Sequence, residues 1–166
     1  MGTHDKIRSR VRGHSDRTIE EVVHDPYKAR YKPKGVAVCP SCGVVYEHGH
    51  WHWKPRPAEA EEHMCPACLR TKENYPAGYV TLEGAFLRDH SEEILHLIRN
   101  EEKRAKAEHP QERIMAIEQE DGKTVVTTTE LHLARRIGEA LHHAYQGSLE
   151  VKYGPDDYLV RVFWKR

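Results

Sequence analysis

Residues 38–43 read VCPSCG and residues 64–72 read MCPACLRTK. Together they give Cys39-x2-Cys42, 22 intervening residues, then Cys65-x2-Cys68. Two residues between thiols let both sulfurs and nearby backbone N–H groups converge on one ion. Two such knuckles complete a tetrahedral shell at about 2.3 Å per Zn–S bond. Pro40 and Pro66 stiffen the knuckles, and Gly43 supplies the conformational freedom needed after a second cysteine. The pattern predicts one structural Zn2+ held by Cys39, Cys42, Cys65 and Cys68. Zinc is preferred to iron because the site is closed and no redox partner is suggested, although a rubredoxin-like iron site uses similar thiolates. A catalytic zinc needs an open position or a nearby base, and four thiolates leave neither.

Between the knuckles lies EHGHWHWKPRPAEAEEH, with His48, His50, His52 and His63. These histidines can form a second metal site or replace a cysteine ligand. The sequence favours the plainer alternative, an alternating β-ribbon with one imidazole face and one indole face, because four cysteines already fill a zinc shell. Trp51 and Trp53 can bury against the ribbon, or stack on unpaired bases with Lys54 and Arg56 beside them for phosphate.

Outward from this module the texture changes twice. Residues 1–35 hold nine basic against five acidic residues. Lys6, Arg8, Arg10 and Arg12 alternate with other residues, and Lys28, Arg30, Lys32 and Lys34 repeat the pattern. Apolar periodicity is confined to Ile19, Val22 and Val23, one short helical turn behind Ser15 or Asp16. This reads as an extended basic arm, a disordered and solvated tail when free, that orders against phosphate when bound. Residues 76–90 look irregular to mixed, with turn signals at Pro76 and Gly78. SEEILHLIRNEEKRAKAEHP is a helix with Ser91 as N-cap, Glu92 and Glu93 in the first turn, a stripe of Ile94, Leu97 and Ile98, and a stop at Pro110. Its second half shows no apolar face and reads as a linker in solvent or on a partner.

Residues 112–166 read as ββαββ. Two strand-like runs flank Asp121-Gly122, a two-residue hairpin turn that sets Glu120 opposite Lys123. A helix over 130–146 puts Ala134, Ile137, Leu141 and Ala144 on one face and ends at Gly147. SLEVKY and YLVRVFWKR form a second hairpin around Gly154-Pro155-Asp156-Asp157, with Leu149, Val151 and Tyr153 on one face. The predicted class is α+β: an extended basic arm (1–35), a four-cysteine zinc-ribbon-like module (36–75), a helical linker (76–111) and a ββαββ domain (112–166).

Composition narrows the functions. Of 166 residues, 26 are Lys or Arg and 26 are Asp or Glu, so any case for nucleic acid rests on local clustering rather than bulk charge. No run approaches the 18–20 apolar residues of a membrane span, and MGTHDKIRSRVRG lacks the apolar core of a signal peptide. The expected compartment is the cytoplasm, where thiols stay reduced and four cysteines need a reason other than disulfides. No G-x-S-x-G, phosphate loop or His-Glu-x-x-His appears, so neither an enzyme nor a small-molecule substrate is expected.

At VCPSCGVVY and MCPACLRTK the chain resembles the amino-terminal zinc region of the archaeal and eukaryotic nonsense-mediated-decay-type adaptor family, which exports the large ribosomal subunit. That family has a C-x-x-C-G knuckle, matched by Cys39, Cys42 and Gly43. Its second knuckle, M-C-x-x-C-L-R-T, is matched by Met64, Cys65, Cys68, Leu69, Arg70 and Thr71. The family's further cysteine pairs and export signals are absent, so the chain looks like a short bacterial relative. The resemblance implies a non-enzymatic zinc protein that contacts the ribosome, in particular the large subunit, through ribosomal RNA. Subunit maturation, ribosome protection in hibernation and quality control all fit it.

The residues expected to meet RNA are Lys6, Arg8, Arg10 and Arg12 of the arm, Lys32 and Lys34, Trp51, Trp53, Lys54 and Arg56 of the spacer, and Arg70 and Lys72 leaving the second knuckle. Phe163 and Trp164 can add contacts, with core packing expected for one of them. A zinc-ribbon DNA-binding or protein-interaction module is the rival reading. Against DNA, the helix at 130–146 carries only Arg135 and Arg136 as a basic face. A metalloenzyme built on the histidine cluster is the third.

Overall fold

The computed structural model describes residues 25–30, 32–155 and 157–166. Lys6, Arg8, Arg10 and Arg12, and the turn expected around Ile19, Val22 and Val23, lie outside the described residues. The described chain is α+β, with two mixed sheets and five helices.

The smaller sheet follows from the cysteine module. β1 (Ala37–Val38) pairs antiparallel with β2 (Val45–Glu47) and parallel with β4 (Glu61–Glu62), and β2 pairs with β3 (His50–His52). The strand order is β3-β2-β1-β4. The β2–β3 hairpin sets Tyr46 opposite Trp51 and leaves His50 and His52 exposed, an alternation that sends imidazoles to solvent and indole inward. The helix α1 (Pro26–Arg30) precedes this sheet and α2 (Pro66–Glu73) follows it. Residues 26–30, expected to be extended, are therefore helical.

The larger sheet has the order β6-β7-β5-β9-β8. β6 (Ile114–Glu120) and β7 (Lys123–Thr128) form the expected hairpin, with Glu120 opposite Lys123. Helix α5 (Leu131–Tyr145) follows, then β8 (Ser148–Tyr153) and β9 (Val160–Lys165) as an antiparallel pair. The helix buries Leu133, Ala134, Ile137 and Leu141 on the sheet, whereas Ala144, expected on the same face, is exposed. Gly138 permits the close approach: a Cβ there would lie 2.5 Å from Val162 Cγ1.

Two expectations for residues 76–111 are overturned. The stretch read as irregular forms β5 (Gly78–Glu83), the central strand, parallel to β9 and antiparallel to β7. Val80 and Leu82 point into the core while Tyr79 and Thr81 face out, the period of two that a half-covered sheet requires. A short helix α3 (Ala85–Asp89) leads into α4 (Ser91–Glu108). Ser91 is the first helical residue, preceded by His90 at the cap. Helix α4 is no solvent linker: Ile94, Ile98 and Ala105 are completely buried in the core formed with α5 and the sheet. Ala105 carries the inward face into the half that seemed to have none, because a methyl group suffices where two helices pack closely. Glu101 also holds Arg136 of α5 at 2.8 Å.

Candidate metal centre

Each knuckle is built by local backbone bonds. In the first, Cys39 N–H donates to Val44 O and Gly43 N–H to Cys39 O, both at 2.9 Å. Gly43 has φ +81°, the left-handed conformation that folds Cys42 back toward Cys39. In the second, Cys65 caps α2: its Sγ accepts from Cys68 N–H at 3.4 Å, and Pro66 occupies the first helical turn, where its missing N–H is harmless. Helical geometry then sets Cys68 beside Cys65.

The sulfurs of Cys39, Cys42, Cys65 and Cys68 all lie within 4.8 Å of one another, and none is in a disulfide. Cys42 Sγ and Cys65 Sγ are 3.8 Å apart. A tetrahedron with metal–sulfur bonds of about 2.3 Å has edges of about 3.8 Å, so the cage has the size for one ion. Cys39 and Cys65 are buried, and Cys42 and Cys68 are half-buried. The four residues can coordinate one metal ion, and thiolate donors suit a soft or borderline cation.

A residue that no motif announced completes the site. Arg113, between α4 and β6, donates from Nη1 to Cys68 Sγ and from Nη2 to Cys42 Sγ, each at 3.2 Å, with Cys65 Sγ at 3.8 Å. Its Nε–H is anchored on Pro110 O at 2.8 Å, and its guanidinium lies 5.5 Å from the centre of the Trp53 ring. The hydrogen bonds from Cys42 and Cys65 bring the Cys68 thiol down to about 3, with Arg113 adding its charge. Hydrogen bonds with Cys42 and Cys68, together with burial, push the Cys65 thiol up. In chain position Arg113 stands 45 residues from Cys68, and nothing in the spacing marks it.

The described residues expected to meet RNA are placed in different ways. Lys32, Lys34, Lys54, Arg56 and Lys72 are exposed. Lys54 pairs with Glu47, and Arg56 stands 3.9 Å from Glu62. Trp51 packs inward against Tyr46 at 5.2 Å and stacks near His63, so it belongs to the ribbon's interior. Trp53 is 40% exposed, with its indole N–H donating to Lys106 O at 2.8 Å.

Arg70 is a correction. Only 1% exposed, it points away from solvent. Its guanidinium donates to the Asp25 carboxylate at 2.8 Å and to Tyr75 O at 2.9 Å, and it lies 4.3 Å from the Tyr27 ring centre. The segment at residues 25–30 returns over α2 and claims the charge. Tyr27 adds a hydrogen bond to Glu73, and Lys28 one to Glu130 at 2.9 Å.

His48, His50 and His52 are exposed and His63 is half-buried. Among the described residues the four cysteines are the only group of three or more His, Cys, Asp or Glu side chains whose ligand atoms converge. His50 and His52 instead line a cleft of about 1070 Å³ between the ribbon and α5, with Lys32, Arg135 and Arg136. Two buried glutamates close its floor with opposite character. Burial works to raise the Glu130 carboxyl, but the charge of Lys28 and hydrogen bonds from Tyr158 and Lys28 bring it below the usual range. Burial raises Glu112, with His109 opposing and Glu130 adding to the rise.

Comparison with protein-family models, with curated proteins and with solved structures finds no match. No helix among the described residues is long and apolar enough to cross a membrane.

Proposed function

We propose that this chain is a non-enzymatic zinc protein that associates with the ribosome through ribosomal RNA. The observation that carries the zinc part is the convergence of four cysteine sulfurs within 4.8 Å. Four thiolates saturate a tetrahedral ion, so the metal's role is to fold the knuckles into a ribbon-like module rather than to activate water. A small sheet whose strands run two or three residues cannot hold these loops by burial alone. Structural zinc supplies about 10 kcal/mol or more of folding free energy in such modules.

The ribosomal part draws on the M-C-x-x-C-L-R-T resemblance and on the exposed cations Lys32, Lys34, Lys54, Arg56 and Lys72 around the ribbon. Arg135 and Arg136 are engaged by Glu139 and Glu101, which disfavours α5 as a groove-reading basic helix and with it the DNA-binding alternative. The large subunit is the expected partner, in maturation, protection of idle ribosomes or quality control.

Elemental analysis of the purified chain tests the cofactor: one zinc per chain is expected, and iron in its place defeats the zinc assignment. Sucrose-gradient sedimentation of tagged protein from lysate tests the partner. Co-migration with ribosomal particles at low salt is expected, as is its weakening when Lys54, Arg56 and Lys72 are all changed to Glu. A chain that stays at the top of the gradient is not a ribosome-associated protein.

A further inference from the structure

Helix α5 lies across one face of the five-stranded sheet, and the opposite face has no covering element among the described residues. Alternation along the two central strands sends Tyr79 and Thr81 of β5, and Arg161, Phe163 and Lys165 of β9, to that open face. The register sets Tyr79 beside Arg161 and Thr81 beside Phe163, so the two rings are diagonal neighbours at the middle of the sheet. Water-facing positions of a sheet ordinarily take Thr, Lys or Glu, and two rings on adjacent central strands there call for a partner.

Each ring also carries a cation. The Arg161 guanidinium lies 5.6 Å from the Tyr79 ring centre, and Lys152 Nζ lies 5.7 Å from that of Phe163. Lys152 and Lys165 sit beside carboxylates, Glu150 at 3.4 Å and Glu83 at 4.0 Å, whereas Arg161 has no carboxylate partner among the described residues. At the start of β5 the surface continues into a small cleft of about 320 Å³, lined by Tyr79, Arg161 and Tyr75, which is 55% exposed.

We infer that this open face, from Phe163 across Arg161 and Tyr79 to Tyr75, binds single-stranded RNA by base stacking. Rings held on a rigid sheet offer π-faces to successive unpaired bases, and cations interleaved with the rings meet the phosphates between them. An acidic or apolar protein partner matches only half of this pattern: the cations or the rings, not their alternation. The inference rests on the ribosomal reading for its biological setting and moves the main RNA contact from the knuckles to the sheet.

The test is fluorescence anisotropy with a labelled oligouridylate of about ten nucleotides, within the site sizes such surfaces take. The full chain is compared with Tyr79→Thr, Phe163→Thr and Arg161→Ala. Threonine keeps the strand propensity at both ring positions, and far-UV circular dichroism confirms folding. Each ring change should weaken binding at least about fivefold, the loss of one stacked base. Arg161→Ala should also flatten the salt dependence by about one phosphate contact. His96→Ala, on the exposed side of helix α4, should leave the affinity unchanged.

Ring variants that bind the oligonucleotide as the parent does, or a parent that binds none, overturn the inference. Co-sedimentation separates this from the broader reading. A parent that binds RNA through these rings but never migrates with ribosomes upholds the platform and defeats the ribosomal assignment. Ring variants that lose ribosomes while keeping the oligonucleotide reassign the face to a protein contact and overturn the inference.

Discussion

Replacing Arg113 by alanine tests whether the metal centre is joined to the larger sheet by charge. With a divalent ion, four thiolates carry a net charge of −2, and Arg113 sets two N–H groups 3.2 Å from two of the sulfurs. At about 5 Å and an effective dielectric of about 20, one positive charge stabilises each unit of that negative charge by roughly 3 kcal/mol. Taking the half-buried guanidinium out of water offsets much of this. Hydrogen bonds to charged groups contribute about 1.5–3 kcal/mol net, and loss of an outer partner of a metal ligand typically weakens binding about 10- to 100-fold. We therefore expect Arg113→Ala to lower metal affinity by that factor, about 1.4–2.7 kcal/mol. Arg113→Lys should fall between, because it keeps the charge but not the fork that spans Cys42 and Cys68. The assay is competition with a chromogenic zinc chelator at neutral pH. Thiolate-to-metal charge transfer in the cobalt-substituted protein verifies that the four-sulfur shell is intact. A folded alanine variant that releases metal at the parental rate and affinity would refute the electrostatic argument.

Chelation should abolish the ribbon while sparing the five-stranded sheet, since the larger core contains no cysteine. Tryptophan fluorescence is expected to report Trp51 and Trp53 losing their contacts, with most of the far-UV signal and the Trp164 environment retained. Breaking the buried Arg70–Asp25 pair by Arg70→Ala should cost about 3–5 kcal/mol in urea unfolding, because Asp25 is left buried without its cation. The double variant with Asp25→Ala should recover part of that loss. The two glutamates of the cleft should respond to pH with opposite signs. The folded pKa of Glu130 lies below the ordinary 4.5, so its stabilisation is complete above that value and disappears as pH falls through the folded pKa. Glu130→Gln should therefore destabilise most at neutral pH and least in acid. Glu112 is raised, so the cost of its buried charge is absent below the ordinary value and fully present above the raised one. Glu112→Gln should increase the melting temperature at neutral pH and leave it unchanged in acid.

What was legible in the sequence was what short range decides. The sulfurs could be grouped because each Cys-x2-Cys pair closes its own turn, and the Glu120–Lys123 register followed from a two-residue turn. The face of α5 was legible from its 3.6-residue period, apart from Ala144. Strand β5 was missed because its status comes from pairing with β9, more than 80 residues later, while Pro76 and Gly78 at its entrance looked like punctuation. Helix α4 was misjudged because alanine counts little in an apolar stripe yet packs well against a neighbouring helix. Arg70 shows the same limit at the site. The motif places it on α2, but only the return of residues 25–30 over that helix decides whether it faces solvent or a carboxylate.

The two arginines nearest the knuckles are thus both turned inward, and this changes what the metal can control. Arg70 ties α2 to the segment carrying Asp25, Tyr27 and Lys28, and Lys28 reaches Glu130 at the cap of α5. Arg113 ties the cysteine sulfurs to the entrance of β6, with Trp53 fastened to α4 through Lys106. The ribbon's own interior is small: Cys39, Val44, Cys65 and Ala67 around the sulfurs, and Val38, Val45 and Ala60 behind them. Apolar burial on that scale cannot orient the ribbon against the larger sheet, so its placement falls to charged hydrogen bonds. Two of these end on Cys42 and Cys68, sulfurs that a bound metal would hold in place. Losing the ion would free the sulfurs beneath Arg113 from their common anchor and loosen the joint between the two sheets.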